Sequence, residues 1–193
     1  MMKMRLLIII SVLTVILLSA CSNGELKDAR NWPVPDFTFT DQNNKSFGLS
    51  DLKDKVWIAD FIYTACPDIC QPMTFNMSKL QEMAKKEKID NIEFVSFSVD
   101  PTVDKPEVLA EYSKLFNADL KKWHFLTGYE QKEIEAFAME HFKTIVQKPA
   151  NDDYVIHQSY FYLVNKEGKI QKLYSGDKEV PFEEIIDDIK TLQ

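Results

Sequence analysis

Apolar positions along the chain follow two spacings, near-continuous or alternating runs and steps of three to four residues, and the changes between them mark out the elements. Val56 to Tyr63 is almost unbroken and predicts a central strand covered on both faces. Directly behind it Met73, Met77, Leu80 and Ala84 recur at helical spacing, with Pro72 suited to a first helical turn. Ile92 to Val99 is a second buried-type strand, ended by Asp100-Pro101. Val108, Leu109, Tyr112, Leu115 and Phe116 form another helical stripe. A short strand near Trp123 to Leu126 then leads into a helix with Ile134, Phe137, Ala138 and Phe142 on one face.

The flanking segments are less periodic. Asp36 to Thr40 and Lys45 to Leu49 alternate around Asp41-Gln42-Asn43-Asn44 and predict a hairpin. Thr144 to Ile156 has no clear period and contains Pro149 and Asn151-Asp152-Asp153, so it is expected to be a long, mobile loop. Ser159 to Val164 and Lys169 to Tyr174 flank Asn165-Lys166-Glu167-Gly168, a second hairpin. Pro181 to Leu192 closes the chain as a helix with Phe182, Ile185, Ile186 and Ile189 inward. Strands alternating with helices, then a terminal hairpin and helix, predict an α/β thioredoxin-like fold with an added N-terminal β-hairpin and a C-terminal hairpin plus helix.

Residues 1–20 stand outside this domain. Lys3 and Arg5 precede an uncharged run from Leu6 to Leu18, and small residues follow, the pattern of a secretory signal rather than a membrane span. Leu18-Ser19-Ala20-Cys21 resembles the lipobox of bacterial lipoproteins, in which the cysteine becomes the lipid-modified first residue. Each buried CH2 of its acyl chains would add about 0.8 kcal/mol of membrane affinity. Residues 21–35, polar and with Pro33 and Pro35, read as a tether, and residues 36–193 as the folded domain. The expected place is the outer face of the bacterial cytoplasmic membrane.

Charge excludes one class of partner. The chain carries −7, and loss of residues 1–20 removes Lys3 and Arg5 but no acid, leaving −9. With no basic run, there is no nucleic-acid footprint. Once Cys21 is assigned to lipid, the cysteines left are Cys66 and Cys70, in a compartment where disulfides persist. A monomer is expected.

Tyr63-Thr64-Ala65-Cys66-Pro67-Asp68-Ile69-Cys70-Gln71-Pro72 joins the central strand to the helix behind it. Unpaired N–H groups and the positive end of the helix dipole favour a thiolate there, the form that attacks disulfides and binds metals. In a regular helix the two Cβ atoms would stand roughly 5 to 6 Å apart, while a disulfide wants about 3.5 to 4.5 Å. The loop must therefore be irregular, which Pro67 favours. The spacing also lets both sulfurs grip one soft metal ion, Cu(I) or Zn(II). Two buried thiols on one helical face are the plain structural alternative.

Asp60 interrupts the apolar strand six residues before Cys66. It reads either as a buried acid able to take a proton from the second thiol or as an edge or capping residue. Asp68, between the cysteines, opposes thiolate formation by like charge and reads as a turn acid or as a contact for a partner. Of the three histidines, His124 and His141 fall in structural positions, whereas His157 ends the aperiodic segment just before a strand, where its ring can reach the site. Met73 and Met77 could offer thioethers, but their spacing is that of core packing.

The cysteine segment, Ser98-Val99-Asp100-Pro101 with Asp104 and Pro106 behind it, and His157 before Ser159-Tyr160-Phe161-Tyr162-Leu163-Val164 together resemble the Sco (SenC) family, in one order from about Pro33 to the C-terminus. The resemblance implies a membrane-tethered thioredoxin-fold protein that binds one copper through Cys66, Cys70 and His157. It further implies service to the binuclear copper A centre in subunit II of cytochrome c oxidase, as copper donor, as reductant of that subunit's cysteines, or both. Many members place Asp before this histidine and Ser after it. Here Ile156 and Gln158 stand there, which leaves open what orients the ring.

Rival readings use fewer of these residues. A general extracytoplasmic thiol–disulfide oxidoreductase needs Cys66 and Cys70 but not His157. A peroxiredoxin-type peroxidase usually keeps Thr three residues before its cysteine, where this chain has Tyr63. A structural zinc site wants four protein ligands, and three are in view.

Overall fold

The computed structural model describes residues 26–150 and 152–193, so Cys21, the expected signal segment and the start of the expected tether lie outside it. Ten strands and four α-helices are present: β1 (Trp32–Pro33), β2 (Thr38–Asp41), β3 (Ser46–Gly48), β4 (Val56–Ile62), α1 (Cys70–Lys86), β5 (Ile92–Ser98), α2 (Pro106–Leu115), β6 (Trp123–Thr127), α3 (Gln131–Phe137), β7 (Val146–Gln147), β8 (Ile156–His157), β9 (Tyr160–Val164), β10 (Lys169–Ser175) and α4 (Phe182–Thr191). Eight strands form one mixed sheet in the order β1-β10-β9-β4-β5-β6-β2-β3. β4, β5 and β6 run parallel through the crossovers of α1 and α2, while β9 pairs antiparallel on the other side of β4. This is the expected thioredoxin-like α/β layout.

β4 is central for the reason its sequence suggests, since all seven residues are buried. Strand alternation sends Trp57, Ala59 and Phe61 to one face and Ile58, Asp60 and Ile62 to the other. On the first face Phe61 and Phe97 pack with Phe137, Phe142 and Tyr162, ring centroids 5.1 to 6.0 Å apart. On the second, α1 buries Met73, Met77, Leu80 and Ala84, so both methionines are core. The C-terminal hairpin turns at Asn165, whose side chain accepts the N–H groups of Glu167 and Lys169, with Gly168 at φ +73°.

Four expectations need correction. Residues 144–156 are not a structureless loop: β7 pairs antiparallel with β8, Val146 facing His157 and Gln147 facing Ile156. The expected tether of residues 21–35 does not run to Pro35: β1 pairs with β10, and Leu26 and Val34 are buried in the core. The helix through Ile134 stops at Phe137 and widens into a π-type turn over Ala138–Phe142, which turns both of those residues inward. Leu115, placed on the buried stripe of α2, is 74% exposed. Among the described residues no helix is long and apolar enough to cross a membrane.

Candidate metal centre

Antiparallel pairing brings Cys70 and His157 together across 87 residues of chain. β4 runs toward the cysteines, and β9 runs back along it with Ala59 opposite Tyr162 and Trp57 opposite Val164. The start of β9 therefore lies beside the end of β4, and His157 is three residues before that start. The cysteine loop leaves β4 through a turn in which the Cys66 N–H donates to the Tyr63 carbonyl at 3.3 Å. Cys66 stays outside the helix and Cys70 is its first residue, the irregular arrangement that the spacing requires.

The ligating atoms of Cys66, Cys70 and His157 all lie within 4.8 Å of one another. Both thiols are free, and the three residues are buried. Cys70 Sγ is 3.0 Å from His157 Nε2, and His157 Nδ1 is 3.2 Å from the Gln158 carbonyl oxygen. A carbonyl only accepts, so the ring proton belongs on Nδ1 and the Nε2 lone pair faces the sulfurs, the tautomer a metal ligand needs. Ile156 points outward and contributes nothing here. The backbone of Gln158 orients the ring, while its side chain accepts from the Thr144 hydroxyl at 3.0 Å.

The two thiols are not equivalent. Hydrogen bonding from the Cys70 thiol, opposed by burial and helped by the N–H groups of Asp68 and Cys70, pulls Cys66 down to about 3. Burial, reinforced by Cys66, pushes Cys70 well above the ordinary thiol range. Cys66 is thus the resident thiolate and Cys70 the held thiol. Asp60 proves fully buried, so it is not an edge residue. It lies on the face that α1 covers, both oxygens lack a hydrogen-bond partner, and burial pushes it up to about 7. His124 and His141 are structural as expected, His124 stacking on Phe47 at 3.8 Å and His141 packing beside Phe137.

Three supporting residues carried no assigned role from sequence. Asp104 accepts from the Thr64 hydroxyl at 2.5 Å, from the Thr64 N–H, and from the Ser98 hydroxyl at 2.6 Å, tying the cysteine loop to the end of β5. Lys148 grips Asp100 and thereby anchors the ribbon that holds His157. Tyr63 stands edge-on to the imidazole at 5.7 Å. The motif Ser98-Val99-Asp100-Pro101 with Asp104 was the available signal for the first two, since polar residues clustered at a strand end have to be bonded to something.

A family model described as SCO1/SenC matches residues 27–193. The chain belongs to the SCO1/SenC family. A SCO1/SenC family lipoprotein from Bacillus anthracis str. Ames is 49% identical, with a TM-score of 0.84 over 86% of this chain and 98% of its own. BsSco, described as a member of the Sco family of cytochrome c oxidase assembly proteins and as having a disulfide switch, is 47% identical, with a TM-score of 0.80 over 86% and 96%. ScoI of Bradyrhizobium japonicum, solved with copper bound, is 27% identical, with a TM-score of 0.69 over 83% and 99%.

Chemically, two sulfurs and one imidazole nitrogen at this separation form a soft, three-donor set suited to Cu(I), and the imidazole extends it to Cu(II). Removing both donor thiols as a disulfide would empty the set in one step. Metal loading and thiol redox state are therefore alternatives at a single site.

Proposed function

We propose that this Sco protein is a copper-binding assembly factor for the binuclear copper A centre of cytochrome c oxidase subunit II, acting as copper donor, as thiol reductant, or both. It would work as a monomer anchored by lipid on Cys21 at the outer face of the bacterial cytoplasmic membrane. The observation that carries the reading is the convergence of the buried residues Cys66, Cys70 and His157 within 4.8 Å. Support for copper comes from the donor chemistry and from the copper-bound ScoI, and support for the oxidase from the family of BsSco.

As a carrier, the chain would hold copper as cargo between the Cys66 and Cys70 sulfurs and His157 Nε2. The Nδ1–H bond to Gln158 keeps the ring aimed, and surrounding burial excludes stray oxidants. As a reductant, the Cys66 thiolate attacks a disulfide on the target and forms a mixed disulfide. Cys70 then gives up its proton and attacks the Cys66 sulfur, releasing the target as a dithiol and leaving two electrons fewer on this chain. The split between the two thiols also favours a second reading, a general extracytoplasmic thiol–disulfide oxidoreductase that uses no metal.

Copper titration of the reduced, oxidised and His157→Ala proteins, paired with subunit II maturation in cells, separates the readings. Uptake of about one copper by the reduced form, lost on oxidation, together with a maturation defect in His157→Ala, is expected. Full maturation with His157→Ala would favour the oxidoreductase reading.

A further inference from the structure

The β7–β8 ribbon has two unlike faces. Thr144, Val146, Val155 and His157 turn inward and are buried. The residues alternating with them, Ile145, Gln147, Tyr154, Ile156 and Gln158, are exposed, and Ile156 stands opposite Gln147. Three of these five are large and apolar. Among the described residues, five of the eight exposed large apolar side chains fall between Met139 and Tyr160, so exposure is concentrated on the ribbon that carries His157 rather than scattered.

An interaction at the metal centre has to pass this way. Cys66, Cys70 and His157 are 2%, 0% and 9% exposed, so a partner's sulfur reaches them only from a protein lying against their cover. That cover is the ribbon and the cysteine turn, where Ala65, Pro67 and Asp68 are exposed. Charge selects among occupants. Lys148 is paired with Asp100, which leaves Lys143 against Glu140, Asp152 and Asp153 in the same stretch, with Asp68 on the cysteine turn. A second copy would set acid against acid, and an anionic lipid surface would be repelled in the same way.

We propose that the outer face of the β7–β8 ribbon is the docking surface for the protein that trades copper or a disulfide with this site, a partner with an apolar centre ringed by lysine or arginine. The inference rests on the reading of the site given above and adds where its partner binds and by what chemistry. Ile145, Tyr154 and Ile156 supply the apolar contact, while the acids beside them speed encounter and set orientation.

The test uses Ile156→Ser and Asp153→Lys in the full-length protein. Passage of copper from the loaded protein to copper-free oxidase subunit II is compared with passage to a small chelator. Each variant should slow delivery to subunit II about tenfold, the effect of losing one important interface residue, and leave delivery to the chelator unchanged. Added salt should slow the first delivery and spare the second. Variants that match wild type with subunit II overturn the proposal. So do variants that slow both deliveries alike, because they then act through the ligands. Failure of the copper reading shows separately, as a wild type that delivers nothing to subunit II. The face is then judged in cells with Cys70→Ser. The Cys66 thiolate attacks a partner's disulfide, the partner's other sulfur leaves as a thiolate, and without Cys70 the mixed disulfide stays trapped. Adding Ile156→Ser should cut the yield of trapped protein about tenfold while capture of glutathione from its disulfide is unchanged. Equal yields, or no trapped protein, overturn the proposal.

Discussion

Lys148 Nζ sits 2.9 and 2.8 Å from the two carboxylate oxygens of Asp100, 48 residues away, and this pair ties the β7–β8 ribbon to the end of β5. A second bond, from the Lys148 N–H to Glu135 at 2.8 Å, fixes the same point to α3. His157 is therefore held on a strap with a defined anchor.

Cutting the anchor should loosen the histidine without touching a ligand. Asp100 is 2% exposed, so Lys148→Met leaves a buried carboxylate unpaired, at a cost of about 3 kcal/mol in unfolding free energy. Denaturant titration should show that loss. Stopped-flow transfer of Cu(II) to a chelator should show faster release than wild type, with Lys148→Arg recovering most of both. A destabilised variant with unchanged release would mean that the strap does not govern the ring.

The opposite wall of the site depends on Asp104. Its carboxylate gathers the Thr64 hydroxyl and N–H and the Ser98 hydroxyl while almost wholly enclosed. Asp104→Ala strands those donors, and two or three orphaned groups at about 1 kcal/mol or more each predict a loss of about 3 kcal/mol. Thr64→Val removes a single hydroxyl and should cost roughly 1 kcal/mol by the same reasoning. Thermal denaturation of the two variants measures the ratio. Equal losses would show that the bonds to Asp104 do not share the load.

Asp60 gives the protein a pH dependence of known sign. Its carboxyl titrates near 3.8 in an open chain and is pushed up to about 7 by burial in the fold. Between those values the native state keeps a proton that the unfolded chain has released, so the contribution of Asp60 to stability falls as pH rises from about 4 to about 7 and levels off above. The full span is on the order of 4 kcal/mol. Asp60→Asn carries no such proton. Cys66, held down at about 3, acts in the opposite sense over the same range, so the readout is a difference: urea titrations at pH 5 and pH 8 should show wild type losing stability relative to Asp60→Asn, and parallel curves would rule out Asp60 as the source.

Much of this was legible before any coordinates. The unbroken run at β4 and the Met73, Met77, Leu80, Ala84 stripe mark a central strand and its covering helix, because burial leaves a period in the sequence. Cys66, Cys70 and His157 stood out because their chemistry is uncommon and their places are element ends. The β7–β8 ribbon left no such trace, since two-residue strands are too short to show alternation. Asp104 and Thr64 meet across 40 residues, a pairing that no local spacing records. Leu115 fits the apolar spacing of α2 and lies outside the packed surface, because spacing records a face but not how far the neighbouring elements cover it.

His157 should matter unequally to the two oxidation states of copper. Two thiolates satisfy Cu(I), which is soft and content with few ligands, whereas Cu(II) draws more from the harder imidazole nitrogen. Nε2 faces Cys70 Sγ at 3.0 Å, so the ring is poised at the sulfurs without rearrangement. Removing it as His157→Ala should weaken Cu(II) retention by at least about 100-fold, the upper end of what losing a mere supporting partner costs, and Cu(I) retention far less. Competition titrations with a chelator for each oxidation state compare the two. Because the thiolates remain, a sulfur-to-copper band should survive in the variant when Cu(II) is first added, then decay as the metal is reduced or lost. Cys66→Ser and Cys70→Ser should instead abolish stable Cu(II) binding. Equal weakening of both oxidation states in His157→Ala would show the imidazole to be a general clamp rather than the donor that admits Cu(II).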